Sequence, residues 1–309
     1  MSNREFRLLM IGAMYENGGN TLQRYLDGHP ELMVYPFESQ LGTRYVQDMF
    51  SSTFPLKYRW PVFPTATTLN EDYGLIIDEE CKIRIKTPLV SKFRNFSMEL
   101  DDNERKESFL RHMEGRQKSV SNLVECFFRS TFDSWMDFRG SGQEKTYVGY
   151  SPIIVIDAEK ILKTYTNALM VHVVRNPYSA YAETKRRPVP LDLHQYISGW
   201  VINQYFALFY KRKYPDRLLI VRYEDLIADS KVALAPLCRA LGIDGDSKSL
   251  NTPSWNGYQM SEVYPWGTIR IPTLEENLKR ATELKEEEKQ EISQRTEDFL
   301  RIFDFRIEQ

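Results

Sequence analysis

The sequence predicts an α/β protein in which a central, mostly parallel sheet is flanked by helices, and three stretches carry that expectation. Residues 6–30, FRLLMIGAMYENGGNTLQRYLDGHP, read as a buried strand, a glycine loop and a short helix. Residues 168–187 read as an apolar strand, ALMVHVV, that stops at Arg175-Asn176-Pro177, where a second helix begins. Residues 218–221 form a third short apolar strand, followed by Tyr223-Glu224-Asp225-Leu226 and a helix from Ser230 to Leu241 closed by Gly242. Strands that alternate with helices build parallel sheets, and ligands of such sheets gather beyond the carboxyl ends of the strands.

Taken in order, residues 7–11 are an apolar run with the length of a buried strand. Gly18-Gly19 permits backbone angles that side chains resist, and Asn20 and Thr21 are capping residues for a helix that ends near Asp27-Gly28. Such a loop turns unpaired N–H groups and the positive end of a helix dipole toward one point, which suits an anion. The same two glycines also suit a plain tight turn. The common nucleotide-triphosphate loop requires a lysine after its second glycine, and Asn20 stands there.

His29-Pro30 ends the first helix, and residues 32–35 form a second strand that delivers Glu38 to the rim of the glycine loop. Residues 43–68 are irregular, aromatic and proline-containing, as a substrate-facing excursion would be. Residues 82–86, KIRIK, alternate like a strand with one wet face and are closed by Thr87-Pro88. Residues 91–140 are charged and helix-prone, from near Asp101-Asp102 to Gly140, and are expected to form a helical insertion with solvated charged faces. After Pro152 come apolar residues 153–156 and a helical pattern over 157–165.

At the second junction Asn176 is a preferred cap and Pro177 suits the first helical position. Ser179 lies in the first turn, with Glu183 and Arg187 at four-residue steps on one face; a plain i,i+4 ion pair between them would contribute about 0.2–0.5 kcal/mol. Pro188 and Pro190 end that helix. Residues 193–213 predict a long helix with Ile197, Trp200, Val201, Tyr205 and Leu208 inward, and residues 274–303 a charged amphipathic one. Residues 243–273 between them are loop-like. With no internal repeat and no long linker, residues 1–309 are expected to form a single domain.

A formal net charge of −2 argues against general nucleic-acid binding. No run approaches the roughly 20 apolar residues of a membrane helix, and MSNREFRLL lacks an apolar secretion segment, so the expected location is cytoplasmic. Cys81, Cys126 and Cys238 lie far apart without metal-ligand spacing, so neither a disulfide framework nor a zinc site is expected.

Together, these stretches resemble the sulfotransferase family over most of the chain. GGNTLQRYLDGHPEL is similar to its loop for a 5′-phosphosulfate, MVHVVRNPYSAYAETKRR to its 3′-phosphate segment, and IVRYEDLIADSKVALAPLCRALGI to its Tyr-Glu-Asp-Leu strand and helix. The resemblance implies a P-loop-NTPase-like fold and a donor, 3′-phosphoadenosine 5′-phosphosulfate (PAPS), whose sulfonyl group passes to a hydroxyl of a small-molecule or glycan acceptor, leaving adenosine 3′,5′-bisphosphate (PAP). It implies donor contacts from Asn17, Gly18, Gly19, Asn20 and Thr21, and a 3′-phosphate contact from Arg175. The family often has a serine eight residues after that arginine; Glu183 stands there, so Ser179 or Thr184 must substitute, and Arg187 falls where relatives carry another basic contact. Trp266, Gly267, Thr268 and Arg270 belong to the loop implied to close over the nucleotide.

Glu38 is the implied base, since related enzymes place a glutamate shortly after His-Pro; pairing with a nearby basic residue is its structural alternative. The family's Lys-[Thr/Asp]-Pro place reads Gly149-Tyr150-Ser151-Pro152, so the lysine function has moved to Lys86, in Lys86-Thr87-Pro88, or been lost. Glu16 and Asn17 stand where an arginine is usual, and Glu16 is expected to point away from an anionic donor. His29 and His172 are read as structural. No metal, nucleic-acid partner or membrane span is expected. Two other readings stand beside this one: an ATP- or GTP-dependent small-molecule kinase, which the missing loop lysine opposes, and a non-catalytic nucleotide- or carbohydrate-binding protein, which the altered loop favours.

Overall fold

Five strands form the centre of the computed structural model, which describes residues 5–86, 98–187, 189–260, 262–264, 269–270 and 272–305. They are β1 (Leu8–Ala13), β2 (Leu32–Val34), β3 (Thr146–Pro152), β4 (Leu169–Val174) and β5 (Leu218–Arg222), in the order β2-β3-β1-β4-β5 with every pairing parallel. β1 occupies the middle and is buried along its whole length. A strand covered on both faces reads as a continuous apolar run, which is why LLMIGA shows no alternation.

Successive side chains of β1 nevertheless serve different layers. Leu8 and Met10 join a core closed by α3 (Asp102–Met113), α4 (Val120–Ser134) and α5 (Ala158–Thr164), with Phe109, Phe127, Phe128 and Ile161. Leu9 and Ile11 face α1 (Gly19–Leu26) and α9 (Ser230–Leu241), through Leu22, Leu234 and Leu237. A third cluster gathers α6 (Pro177–Thr184), α7 (Leu193–Lys213) and α11 (Glu286–Ile302) around Tyr178, Ile197, Trp200 and Ile292. Short α8 (Tyr223–Ala228) follows β5 directly, and α10 (Leu274–Ala281) packs across α6. Two hairpins, β6 (Ser254–Trp255) with β7 (Tyr258–Gln259) and β8 (Glu262–Tyr264) with β9 (Ile269–Arg270), interrupt the stretch expected to be loop.

Several expectations require correction. Residues 82–86 are not a strand: α2 (Leu69–Cys81), opened by a Thr68–Glu71 capping box, runs on into a wide π-helical turn, Lys82–Lys86. The charges explain the helical outcome, because Lys82 reaches Asp78 at 2.8 Å and Arg84 reaches Glu80 at 3.2 Å, both four residues back. The apolar residues 153–156 follow β3, and Ile153 takes a left-handed φ of 58° before a 3₁₀ turn, Ile154–Asp157. Tyr205 faces outward on α7, 57% exposed, while Ile197 and Trp200 are inside as expected. The terminal helix is two helices, separated where buried Leu284 turns into the third cluster.

Both histidines read as structural hold that place. His29 accepts the Glu31 N–H at Nδ1 and sits 2.9 Å from Asp244 O at Nε2, fixing the turn after α1. His172, in β4, lies 2.9 Å from Gln204 Oε1 through Nε2, and its Nδ1 has no partner. Burial lowers its pKa from 6.5 to about 4. Between these values the unfolded chain binds the extra proton and the folded chain does not, so stability falls as pH drops from 6.5 toward 4. His172→Asn should therefore flatten the pH dependence of the melting temperature across that window, the wild-type loss attributable to His172 being up to about 3 kcal/mol.

Candidate functional site

At the carboxyl ends of β1, β3 and β4 a cleft opens over the glycine loop. Gly18 is left-handed, at φ 86° and ψ 13°, and caps α1. A Cβ there would lie 2.1 Å from Tyr223 Cδ2; one on Gly19 would lie 2.4 Å from Tyr150 Cε2 and 2.9 Å from Ala13 Cβ. Two tyrosine rings thus press the loop from either side and admit only glycine. The first amide to bond within the helix is that of Leu22, which donates to Gly18 O at 2.9 Å. The N–H groups of Gly19, Asn20 and Thr21, all lining the cleft, come too early in the helix to find an acceptor within it.

Asn17 is fully buried and holds this loop to the second junction. Its Nδ2 donates to Tyr15 O at 2.8 Å and to the Tyr196 hydroxyl at 3.0 Å; its Oδ1 accepts from the Arg175 N–H and from Trp200 Nε1, each at 3.1 Å. The Asn17 N–H donates to Met14 O. Its side chain and its N–H are therefore committed to the protein's own shape rather than offered to a ligand. The Thr21 hydroxyl is bonded to Tyr223, whose phenol burial pushes up.

Arg175 ends up beside the loop because β4 stops one residue earlier and Asn176, whose Oδ1 accepts the Tyr178 N–H, starts α6 with Pro177 in its first turn. Its Nη1 donates to Glu16 O at 2.8 Å and its Nε to Asn277 Oδ1 at 2.7 Å, with the guanidinium 4.7 Å from the centre of the Tyr223 ring. Nη2 has no partner among the described residues. Asn277, buried on α10, also accepts the Ser179 hydroxyl at its carbonyl (2.8 Å) and donates to Glu224 Oε1 (3.1 Å). Glu224 further accepts the Asn176 N–H, while its Oε2 has no partner; burial raises its pKa.

The remaining side chains separate into those brought together and those not. Arg187 lines the cleft over the Tyr15 ring, 3.7 Å from Glu16 Oε1. Glu16, in a left-handed conformation at φ 59°, therefore lines the cleft instead of pointing away, its charge met by that arginine. Glu183 pairs with Arg280 of α10 at 2.9 Å rather than with Arg187. Thr184 is buried and donates back to Ala180 O, away from the cleft. Glu38 lines the cleft half-buried, accepting from Gln40 Nε2 at 3.2 Å and from the Tyr58 hydroxyl. Burial, reinforced by Glu38, lifts the pKa of Tyr58 far above its ordinary value.

Lys86 closes the π-helical turn by its backbone, and its side chain, with Thr87 and Pro88, lies outside the described residues. Trp266, Gly267 and Thr268 lie outside them too; Arg270 is described only as the backbone of β9. Cleft residues that sequence reasoning missed are Tyr15, Tyr58, Tyr150, Asn277 and Arg280. Tyr15 and Tyr150 stood inside stretches singled out beforehand and Tyr58 inside the excursion expected to face substrate, whereas Asn277 and Arg280 reach the cleft through tertiary packing that no local pattern records. No group of three metal-ligating side chains is present, and no helix is long and apolar enough to cross a membrane, among the described residues.

Comparison with known proteins adds an independent line. The model of the Sulfotransferase family matches residues 10–247. The chain is similar to the solved sulfotransferase domain from the curacin biosynthetic pathway, at 15% identity over 96% of this chain and 99% of that one, with a TM-score of 0.49. It is also similar to sulfotransferase STF9 from Mycobacterium avium, at 12% identity over 98% and 78% of the two chains with a TM-score of 0.49. A third similar structure is retinol dehydratase in complex with androsterone and inactive cofactor PAP, at 12% identity over 96% and 82%, with a TM-score of 0.41. No curated protein matches the sequence significantly.

The tight loop makes a stability prediction. Gly19→Ala should destabilise by about 1–3 kcal/mol, since neither the Tyr150 ring nor the sheet can retreat freely. Gly74→Ala, on α2 with nothing within 4 Å of the added methyl, should be neutral or stabilising by up to about 1 kcal/mol. Urea denaturation of the two variants checks both.

Proposed function

Since this chain belongs to the sulfotransferase family, we propose that it transfers a sulfonyl group from PAPS to a hydroxyl of a small-molecule or glycan acceptor, with Glu38 as the base. One observation supports this reading above the others: Arg175 and the first turn of α1 line one cleft, so two anion-binding elements from distant parts of the chain serve a single ligand. The residues fit such a donor. The side-chain-free loop lets backbone N–H groups approach a phosphosulfate, and the unpartnered Nη2 of Arg175 leaves half of its fork for a 3′-phosphate.

In this reading Gly18, Gly19, Asn20 and Thr21 hold the phosphosulfate, and Arg175 holds the 3′-phosphate, with Ser179 near it on the first turn of α6. Arg187 and Arg280 add positive charge, offset by Glu16 for the first and by Glu183 and Glu283 for the second until a ligand competes. Bound PAPS supplies an activated sulfonyl group and a stable leaving phosphate. Glu38 removes the acceptor proton as its oxygen attacks sulfur in line. The phenols of Tyr15 and Tyr58, held protonated by burial, wall the acceptor end and donate rather than compete for that proton. Lys86 and the loop with Trp266, Gly267, Thr268 and Arg270 keep the roles the resemblance implies: steadying the leaving oxygen or the sulfonyl group, and covering the nucleotide.

Radiolabelled PAPS incubated with an acceptor panel tests the activity, and comparing PAPS with ATP in a thermal-shift titration separates it from a kinase. Arg175→Ala should weaken PAP binding by about 2–5 kcal/mol, measured by calorimetry; unchanged affinity removes the residue from the donor site. Glu38→Gln should lower turnover about 10²- to 10⁴-fold while PAP affinity is kept, and near-normal turnover removes it from the mechanism.

A further inference from the structure

Tyr150 lies between the anion-binding loop and the segment that carries the base. It lies near the carboxyl end of β3, pairing with Ile11 of β1, and its ring lies against Gly19, the residue that opens α1. The clearance runs from Cε2 at 2.4 Å to Cζ at 3.0 Å from the position of a Gly19 Cβ, so the phenol end of the ring rests on the first helical turn. On its other side the backbone of Tyr150 is tied twice to Ser39, the neighbour of Glu38: the Tyr150 N–H donates to Ser39 Oγ at 3.0 Å, and the Ser39 N–H donates to Tyr150 O. Tyr58, which donates to Glu38, lines the same cleft. Although 5% exposed, Tyr150 lines the same cleft as Glu38 and Arg175.

We propose that Tyr150 is a catalytic residue, its phenol O–H donating a hydrogen bond to the oxygen on which negative charge collects during sulfonyl transfer. The inference rests on the sulfotransferase reading given above. In the step, the acceptor oxygen forms a bond to sulfur while the bond from sulfur to the bridging oxygen of the phosphosulfate breaks. The acceptor proton passes to the Glu38 carboxylate, the bridging electron pair leaves with the phosphate, and Tyr150 keeps its own proton. A neutral donor suits this place: it meets the growing charge without drawing the Glu38 carboxylate into a permanent ion pair, and burial strengthens its hydrogen bond. Because the ring is fixed by β3 on one side and by Gly19 on the other, little reorganisation accompanies the reaction.

The test compares wild type with Tyr150→Phe, which keeps the ring against Gly19 and deletes only the hydroxyl. The turnover number should fall about 10²- to 10³-fold while the calorimetric affinity for PAPS without acceptor and the melting temperature stay within error. Incorporation of 3-fluorotyrosine at position 150, which makes the phenol more acidic, should change turnover without changing PAPS affinity. Undiminished turnover in Tyr150→Phe overturns the proposal. So does a fall in PAPS affinity equal to the fall in turnover, because the hydroxyl then acts in the ground state. If Tyr150→Phe fails to fold, fluorotyrosine turnover identical to wild type overturns it instead. Wild-type protein that transfers no sulfonyl group overturns the parent reading and this inference with it, whereas active wild type with an equally active Tyr150→Phe overturns this inference alone.

Discussion

The site depends on one buried amide. Asn17, fully buried, ties the loop after β1 to the junction after β4 through bonds to Tyr15 O, the Tyr196 hydroxyl, the Arg175 N–H and Trp200 Nε1. Two strands that are neighbours in the sheet would otherwise end in loops free to drift apart. The bond from Asn17 Oδ1 to the backbone of Arg175, rather than to its side chain, sets where the guanidinium starts and leaves it free to face the cleft.

Asn277 plays the complementary part from the far end of the chain. It engages the Arg175 side chain, the Ser179 hydroxyl and Glu224 together, so α10 is fastened to the site by polar contacts as well as packing. The unpartnered Glu224 Oε2 lies in this same group. Burial raises the Glu224 pKa, and the neighbouring Arg175 works against that shift, so the carboxyl and the guanidinium are electrostatically linked across the junction. Arg175 is consequently oriented by three separate segments: the loop, α10 and the ring of Tyr223.

The architecture was legible where local physics and tertiary context agree. Residues 168–174 and 193–213 were readable because a fully buried parallel strand and a long helix have distinct apolar patterns, and Asn176-Pro177 marks a helix start by cap chemistry alone. Reading failed where context decided. KIRIK alternates like a strand, yet side chains four residues apart hold it helical; Thr146–Pro152, the strand beside β1, carries two tyrosines, a glycine and a proline and gave no clean apolar signal. Within the site, the glycine loop and Arg175 were visible as junction motifs and Tyr58 lies in the aromatic excursion expected to face substrate, whereas Asn277 and Arg280 arrive from a late helix whose own sequence says nothing about where it docks.

The pinched loop has a consequence for how such a protein can change. With Gly18 against Tyr223 and Gly19 against Tyr150, each glycine and its facing ring share one volume, so neither member of a pair can be exchanged at leisure. A bulkier loop residue becomes tolerable only after the opposing aromatic has been cut back, and cutting it back first leaves a void beside the anion cradle. Variation here must therefore travel in matched pairs, and a library that randomises the loop while keeping its walls will recover little besides the parent.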